Sequence, residues 1–119
     1  MTQDGETNTP RDEIAVRNNE AAHRYEAQVD GRLALISYER HGDRITFIHT
    51  LVPPALEGHG LAAKMARFAL DDARAQHLEV IPRCPYVASY IRRHPEYADL
   101  VPAEERARVL PPSSDQASG

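Results

Sequence analysis

Two glycines, Gly58 and Gly60, stand where a run of strand character gives way to one of helical character. A helix that starts at glycines offers free backbone N–H groups and the positive end of its dipole. That combination binds phosphate. Cys84, the single cysteine, precedes Pro85 at a second helix start. Thiolate is favoured there, although a small inert hydrophobe would also suit the position. Tyr86 and Tyr90 lie at i and i+4, the spacing of core aromatics. His49 is mid-strand among apolar neighbours, which fits a buried, satisfied histidine as well as a general base. His59 sits in the glycine loop, where exposure alone accounts for it. Arg92 and Arg93 read as a solvated helix face or as a contact for phosphate. The six histidines show no H-E-x-x-H or similar spacing, so no metal is expected.

The elements that must position these groups follow from periodicity. Ile14-Ala15-Val16 suggests a short edge strand and Asn18-Asn19-Glu20 a turn. From His23 to Val29, apolar and polar residues alternate, with His23, Tyr25, Ala27 and Val29 facing one way and Arg24, Glu26 and Gln28 the other. Asp30-Gly31 is a two-residue hairpin signal, Leu33 to Arg40 is the returning strand, and His41-Gly42-Asp43 is the next turn. Ile45 to Val52 is apolar on both faces and reads as a central strand covered on both sides. Pro53-Pro54 ends it.

From about Leu61 to Gln76, Leu61, Met65, Phe68 and Ala69 form an apolar stripe opposite Lys64, Arg67, Asp71 and Arg74, as in an amphipathic helix. Leu78 to Ile81 is a short buried strand. A right-handed strand–helix–strand crossover would lay residues 78–82 parallel to 45–52. A second helix opens at Cys84-Pro85 and stops at His94-Pro95, and Tyr97, Leu100 and Val101 form a last packing segment. The expected organisation is polar, disordered residues 1–12, one domain over 13–102, and a charged, flexible C-terminal stretch, 103–119, whose residues 103–109 suggest a short surface helix.

Composition narrows the function classes. A chain of 119 residues suggests one domain, and 41% hydrophobic content without tryptophan suggests an aliphatic core. A net charge of −4 argues against nucleic acid as the main partner. No apolar run approaches the roughly 20 residues needed to cross a bilayer. The polar, acidic start does not read as a signal peptide, and a lone cysteine fits a reducing cytoplasm.

Gly58-His59-Gly60-Leu61-Ala62-Ala63 matches the dinucleotide fingerprint G-x-G-x-x-A, with Glu79 near the place of its ribose-binding acid. The context disagrees: Gly58 lies six positions after Val52, and only one strand–helix–strand unit is present, after an antiparallel meander. Read instead as R/Q-x-x-G-x-G/A, the loop Glu57-Gly58-His59-Gly60-Leu61-Ala62 resembles that of the GCN5-related N-acetyltransferase superfamily. The resemblance is closer to a small subgroup, the minimal YjdJ-type acetyltransferase-like proteins. It rests on His49-Thr50-Leu51-Val52-Pro53, Gly58-His59-Gly60, Cys84-Pro85-Tyr86 and His94-Pro95-Glu96-Tyr97, and covers about residues 14 to 101. The superfamily carries Arg or Gln where this chain has Glu57, and a carboxylate beside a pyrophosphate is repulsive unless it points to solvent.

The resemblance implies an α/β fold with a mixed, mostly antiparallel sheet, one βαβ crossover and two main helices. It implies acetyl-CoA as cosubstrate, with the pyrophosphate on the loop from Glu57 to Ala62. The pantetheine arm would enter a wedge between Thr50-Leu51-Val52 and Val80-Ile81-Pro82. A free N–H near Leu51 or Val52 would hold the thioester carbonyl. Tyr90 is placed near the tyrosine that protonates the leaving thiolate, and Cys84, Tyr90 and His49 are the candidate catalytic residues. The expected reaction is acetyl transfer to a small-molecule or protein amine. A non-catalytic CoA-binding regulatory module and a plain protein-interaction domain are the alternatives.

Overall fold

A computed structural model describes residues 15–58 and 60–109. Strands β1 (Val16–Asn19), β2 (Arg24–Val29), β3 (Arg32–His41) and β4 (Arg44–Leu51) form an antiparallel meander. Helix α1 (Leu61–Ala75) then crosses to β5 (Glu79–Pro82), which pairs in parallel with β4, giving the sheet order β1-β2-β3-β4-β5. Helices α2 (Pro85–Arg93) and α3 (Ala103–Val109) follow, separated by a 3₁₀ turn, Pro95–Leu100. This is the mixed, mostly antiparallel α/β sheet with one crossover that the sequence predicts.

Local chemistry explains the elements. Asp30 and Gly31 both take positive φ, 54° and 78°, as a type I′ hairpin turn requires. Helix α1 ends in a Schellman motif: His77 is left-handed, its N–H bonds the carbonyl of Arg74 at 3.1 Å, and that of Leu78 reaches Ala73 at 2.9 Å. The next N–H, of Glu79, bonds Asp43 at 2.8 Å, so β5 enters beside the beginning of β4. Cys84 caps α2 and Pro85 takes its first turn, as the sequence suggests.

One apolar core joins one face of the sheet to the helices. Tyr25, Ile36, Ile45 and Phe47 from the strands meet Met65, Ala69 and Leu70 of α1 and Val87, Tyr90 and Ile91 of α2. Polar anchors fix α1 at its buried edge. The Tyr25 hydroxyl donates to Asp72 at 2.6 Å, Tyr97 donates to Asp71 at 2.7 Å, and Arg74 grips Asp99 at 2.9 and 3.0 Å. Burial and the adjacent Asp72 carboxylate push Tyr25 well above the ordinary phenol range, and burial with Asp71 pushes Tyr97 up to about 12.

Several local expectations need correction. β1 begins at Val16 and runs through Asn19; Ala15 precedes it and Ile14 lies outside the described residues. The turn is displaced to Glu20–Ala22, because the Asn19 side chain accepts from Ala22 N while Asn18 pairs with Tyr25. Glu26, assigned to the polar face of β2, is buried there, held by Arg17, by Arg24 at 2.7 Å and by Asn19 at 3.2 Å. The Arg24 guanidinium, helped by Arg17 and Asn19, lowers its carboxyl below the usual range. Phe68 is 39% exposed and only edges against Tyr25, whereas Leu70 is fully buried.

β4 is not covered on both sides. Ile45 and Phe47 are buried, but Ile48 is half-buried and Leu51 is 59% exposed, because the two main helices share one face of the sheet. Residues 103–109 form α3, tied to β4 by Arg44 and Glu104 at 3.2 Å. The expected disorder of residues 1–12 and of the stretch beyond 109 concerns positions outside the described residues.

Candidate functional site

The site begins where β4 parts from β5. The parallel ladder covers only Arg44 to Phe47, paired with Glu79 to Pro82, and closes with the Cys84 N–H on the Phe47 carbonyl at 2.9 Å. At the same level β4 carries a bulge. Tyr38 pairs with Phe47 and Ser37 with His49, so Ile48 is the extra residue. A bulge bends a strand and raises its local twist. Beyond it, His49, Thr50 and Leu51 pair with β3 alone.

The parting opens a cleft of about 380 Å³ lined by Thr50 of β4, Val52 just after it, the glycine loop, the first turn of α1 and Tyr86. Gly58 and Gly60 have φ of 85° and 75°, a region most side chains avoid, and Gly60 stands at the N-cap of α1. A Cβ built on Gly58 would meet nothing within 4 Å, so the loop backbone stands open. Gly60, Leu61, Ala62 and Ala63 bring the start of the helix, which has no side-chain cap bond among the described residues, to the cleft wall. Thr50 projects into the opening, and its hydroxyl lies 3.0 Å from the Cys84 sulfur.

A model of the GCN5-related N-acetyl-transferase family matches residues 24–100, a span that includes the parted strands, the loop and α2. The chain belongs to this family. Among curated proteins it is similar to Protein NATD1 of Mus musculus, 31% identical over 85 residues that cover 69% of this chain and 77% of the mouse protein. It is similar to Protein NATD1 of Xenopus tropicalis at 27% over 89 residues, covering 72% of this chain and 82% of that one. With the human Protein NATD1 it shares 36% over 63 residues, 52% of this chain and 56% of the human one. The chain thus spans little more than half of the human relative.

In this member of the family, Val52, Glu57, Gly58, Gly60, Leu61 and Ala62 all line the cleft, as their sequence positions suggest. His59 lies outside the described residues. Leu51 is exposed and is not part of the lining; Thr50, one residue earlier, takes that place. The second wall also differs from expectation. Val80, Ile81 and Pro82 are zipped to Ile45, Thr46 and Phe47, because β5 enters at the beginning of β4 and is only four residues long. Tyr86 is therefore on the wall opposite, and Cys84 is buried against Thr50.

The candidate catalytic residues separate. Cys84 is at the opening but only 2% exposed, its thiol engaged with Thr50. Tyr90 is buried one helical turn further on, stacked on His94 with ring centroids 4.1 Å apart and 6.2 Å from Tyr97, and does not line the cleft. His49 is exposed beside Ser37 and is also absent from the lining. Tyr86 is the tyrosine at the cleft. Burial raises its phenol above the ordinary range, partly offset by Arg93, which lies 6.0 Å from its ring. Helical phase carries the signal that was missed: of two tyrosines at i and i+4, the one in the first turn lies nearer the strand ends. Thr50 was already expected in the wall with Leu51 and Val52; the bulge at Ile48, which shifts the phase of β4, accounts for Thr50 lining the cleft while Leu51 does not.

No metal-ligand cluster of His, Cys, Asp and Glu occurs among the described residues, and none of their helices is long and apolar enough to cross a membrane.

Proposed function

We propose that the cleft takes the pantetheine arm of acetyl-CoA and that the protein transfers the acetyl group to an amine. The observation that carries this reading is the parting of β4 from β5 after Phe47 and Pro82, directly beside a helix that begins at Gly58 and Gly60. A thioester arm is narrow and carries amides, and an unpaired strand edge can hydrogen-bond to it. The open backbone at Gly58 suits a phosphate, and the small side chains of Ala62 and Ala63 leave room for the arm.

In the proposed reaction the nitrogen of a neutral amine attacks the thioester carbonyl carbon. The C–N bond forms, the C–S bond breaks, and the electron pair leaves on sulfur. The amine proton passes to solvent or to a base on the acceptor side, and the thiolate takes a proton. Tyr86 is the best-placed donor, since it lines the cleft and a phenol is protonated at neutral pH. Cys84 is buried against Thr50 and need not carry the acetyl group: exchanging one thioester for another gains little, and no paired base adjoins it.

A second reading, a non-catalytic CoA-binding module, draws on the positions of His49 and Tyr90 outside the cleft. The acceptor is a small-molecule or protein amine, with neither nucleic acid nor membrane as partner, and an unpaired cysteine suits a reducing compartment such as the cytoplasm. Turnover of acetyl-CoA against a panel of amines, with acetylated products identified by mass spectrometry, tests the reading. Acetylated product supports transfer; binding without product in any arm supports the module.

A further inference from the structure

The charge around the cleft is unlike what a polyphosphate needs. Among the described residues lining it, the one charged side chain is Glu57, an exposed carboxylate directly before Gly58. The basic groups on neighbouring turns do not line it. Arg93 donates to Ser89 at 2.5 Å and lies over the Tyr86 ring, and Lys64 is one turn into α1. Apart from the two glycines, the remaining lining is apolar or hydroxylic, with Thr50 and Tyr86 its hydroxyl groups. The loop N–H groups therefore attract phosphate while Glu57 repels it, and the part of the cleft suited to an uncharged arm bears no such conflict.

We infer that this cleft recognises the acyl-pantetheine thioester itself and gains little from the nucleotide diphosphate that distinguishes acetyl-CoA from shorter pantetheine thioesters. The inference rests on the reading of the cleft as a thioester site and adds which part of the ligand is recognised. Acetyl-CoA and S-acetyl-pantetheine share the arm and differ in the diphosphate and the phosphorylated adenosine it carries, so they separate the arm from the nucleotide part.

Calorimetric titration of the full chain with each compound at low salt is the test. The expected dissociation constants lie within about tenfold of each other. Glu57→Arg should tighten acetyl-CoA binding by about tenfold, through lost repulsion and a charge-assisted contact, and leave S-acetyl-pantetheine within about twofold. The gain should shrink as salt rises. Glu57→Gln, a milder change at an exposed position, should shift acetyl-CoA affinity in the same direction by less. A wild-type preference for acetyl-CoA well above tenfold overturns the inference and leaves the thioester site standing. Unchanged acetyl-CoA affinity in both variants overturns it too. Failure of both compounds to bind overturns the inference together with the site.

Discussion

Replacing Gly60 by valine separates the loop's structural role from its binding role. Gly60 has φ of 75° and ψ of 11°, the left-handed region, and it caps α1. Any L side chain there costs about 1–2 kcal/mol, and a branched one sits at the upper end. For a domain of this size each kcal/mol lowers Tm by about 4–8 °C, so the free variant should melt about 5–15 °C below wild type. The binding effect is separate. Gly60 lines the cleft, and a branched Cβ keeps a phosphate from the backbone N–H groups. Losing two or three such contacts, at roughly 0.3–1 kcal/mol each, leaves the Glu57 repulsion uncompensated and weakens acetyl-CoA binding by about tenfold. At a ligand concentration a hundredfold above the wild-type Kd, wild type gains about 2.7 kcal/mol and the variant about half of that. Differential scanning fluorimetry with and without acetyl-CoA reads both numbers. The reasoning fails if a folded Gly60→Val variant shows the full wild-type shift, because the loop backbone would then not contact the ligand.

Other outcomes follow from the same geometry. Tyr86→Phe should lower turnover by on the order of 10²-fold with little change in acetyl-CoA affinity, whereas Tyr90→Phe, one turn from the cleft, should change turnover less than about threefold; steady-state kinetics on both variants decide between them. Cys84→Ala should keep affinity and measurable turnover, and intact mass after brief exposure to acetyl-CoA without acceptor should show no acetyl adduct on the wild-type chain. An adduct on Cys84 chased off by amine at the steady-state rate would make the cysteine the nucleophile. Tyr97, raised from 10.0 to about 12 by burial and Asp71, contributes stability that is fully present below pH 10 and is lost as pH rises towards 12. Denaturant melts across that window should fall more steeply for wild type than for Tyr97→Phe.

Much of the fold was legible in the sequence because its signals are local. Asp30-Gly31, the alternation from Tyr25 to Val29, the proline pair after β4 and the Cys84-Pro85 helix start each specify a turn, strand or cap within a few residues. The glycine loop was legible for the same reason, since left-handed residues at a helix start leave a composition signal. What stayed hidden depends on register between distant segments. The bulge at Ile48 changes which β4 residues face the cleft, so Thr50 lines it and Leu51 does not. The entry of β5 beside Arg44 decides that Tyr86, with Cys84 buried against Thr50, takes the place expected of Val80 to Pro82. The open second face of β4 follows from both helices packing on one side, which apolar alternation within a single strand cannot reveal.

The central claim is that the parted strands and the glycine loop form one thioester-binding cleft. Backbone amide chemical shifts of the labelled chain, followed by NMR as acetyl-CoA is added, test it most directly. The account predicts saturable shifts concentrated at residues 48–52, 57–63 and 84–86, with residues 16–29 unmoved. Saturable shifts confined to other segments, or none at millimolar acetyl-CoA, would contradict it.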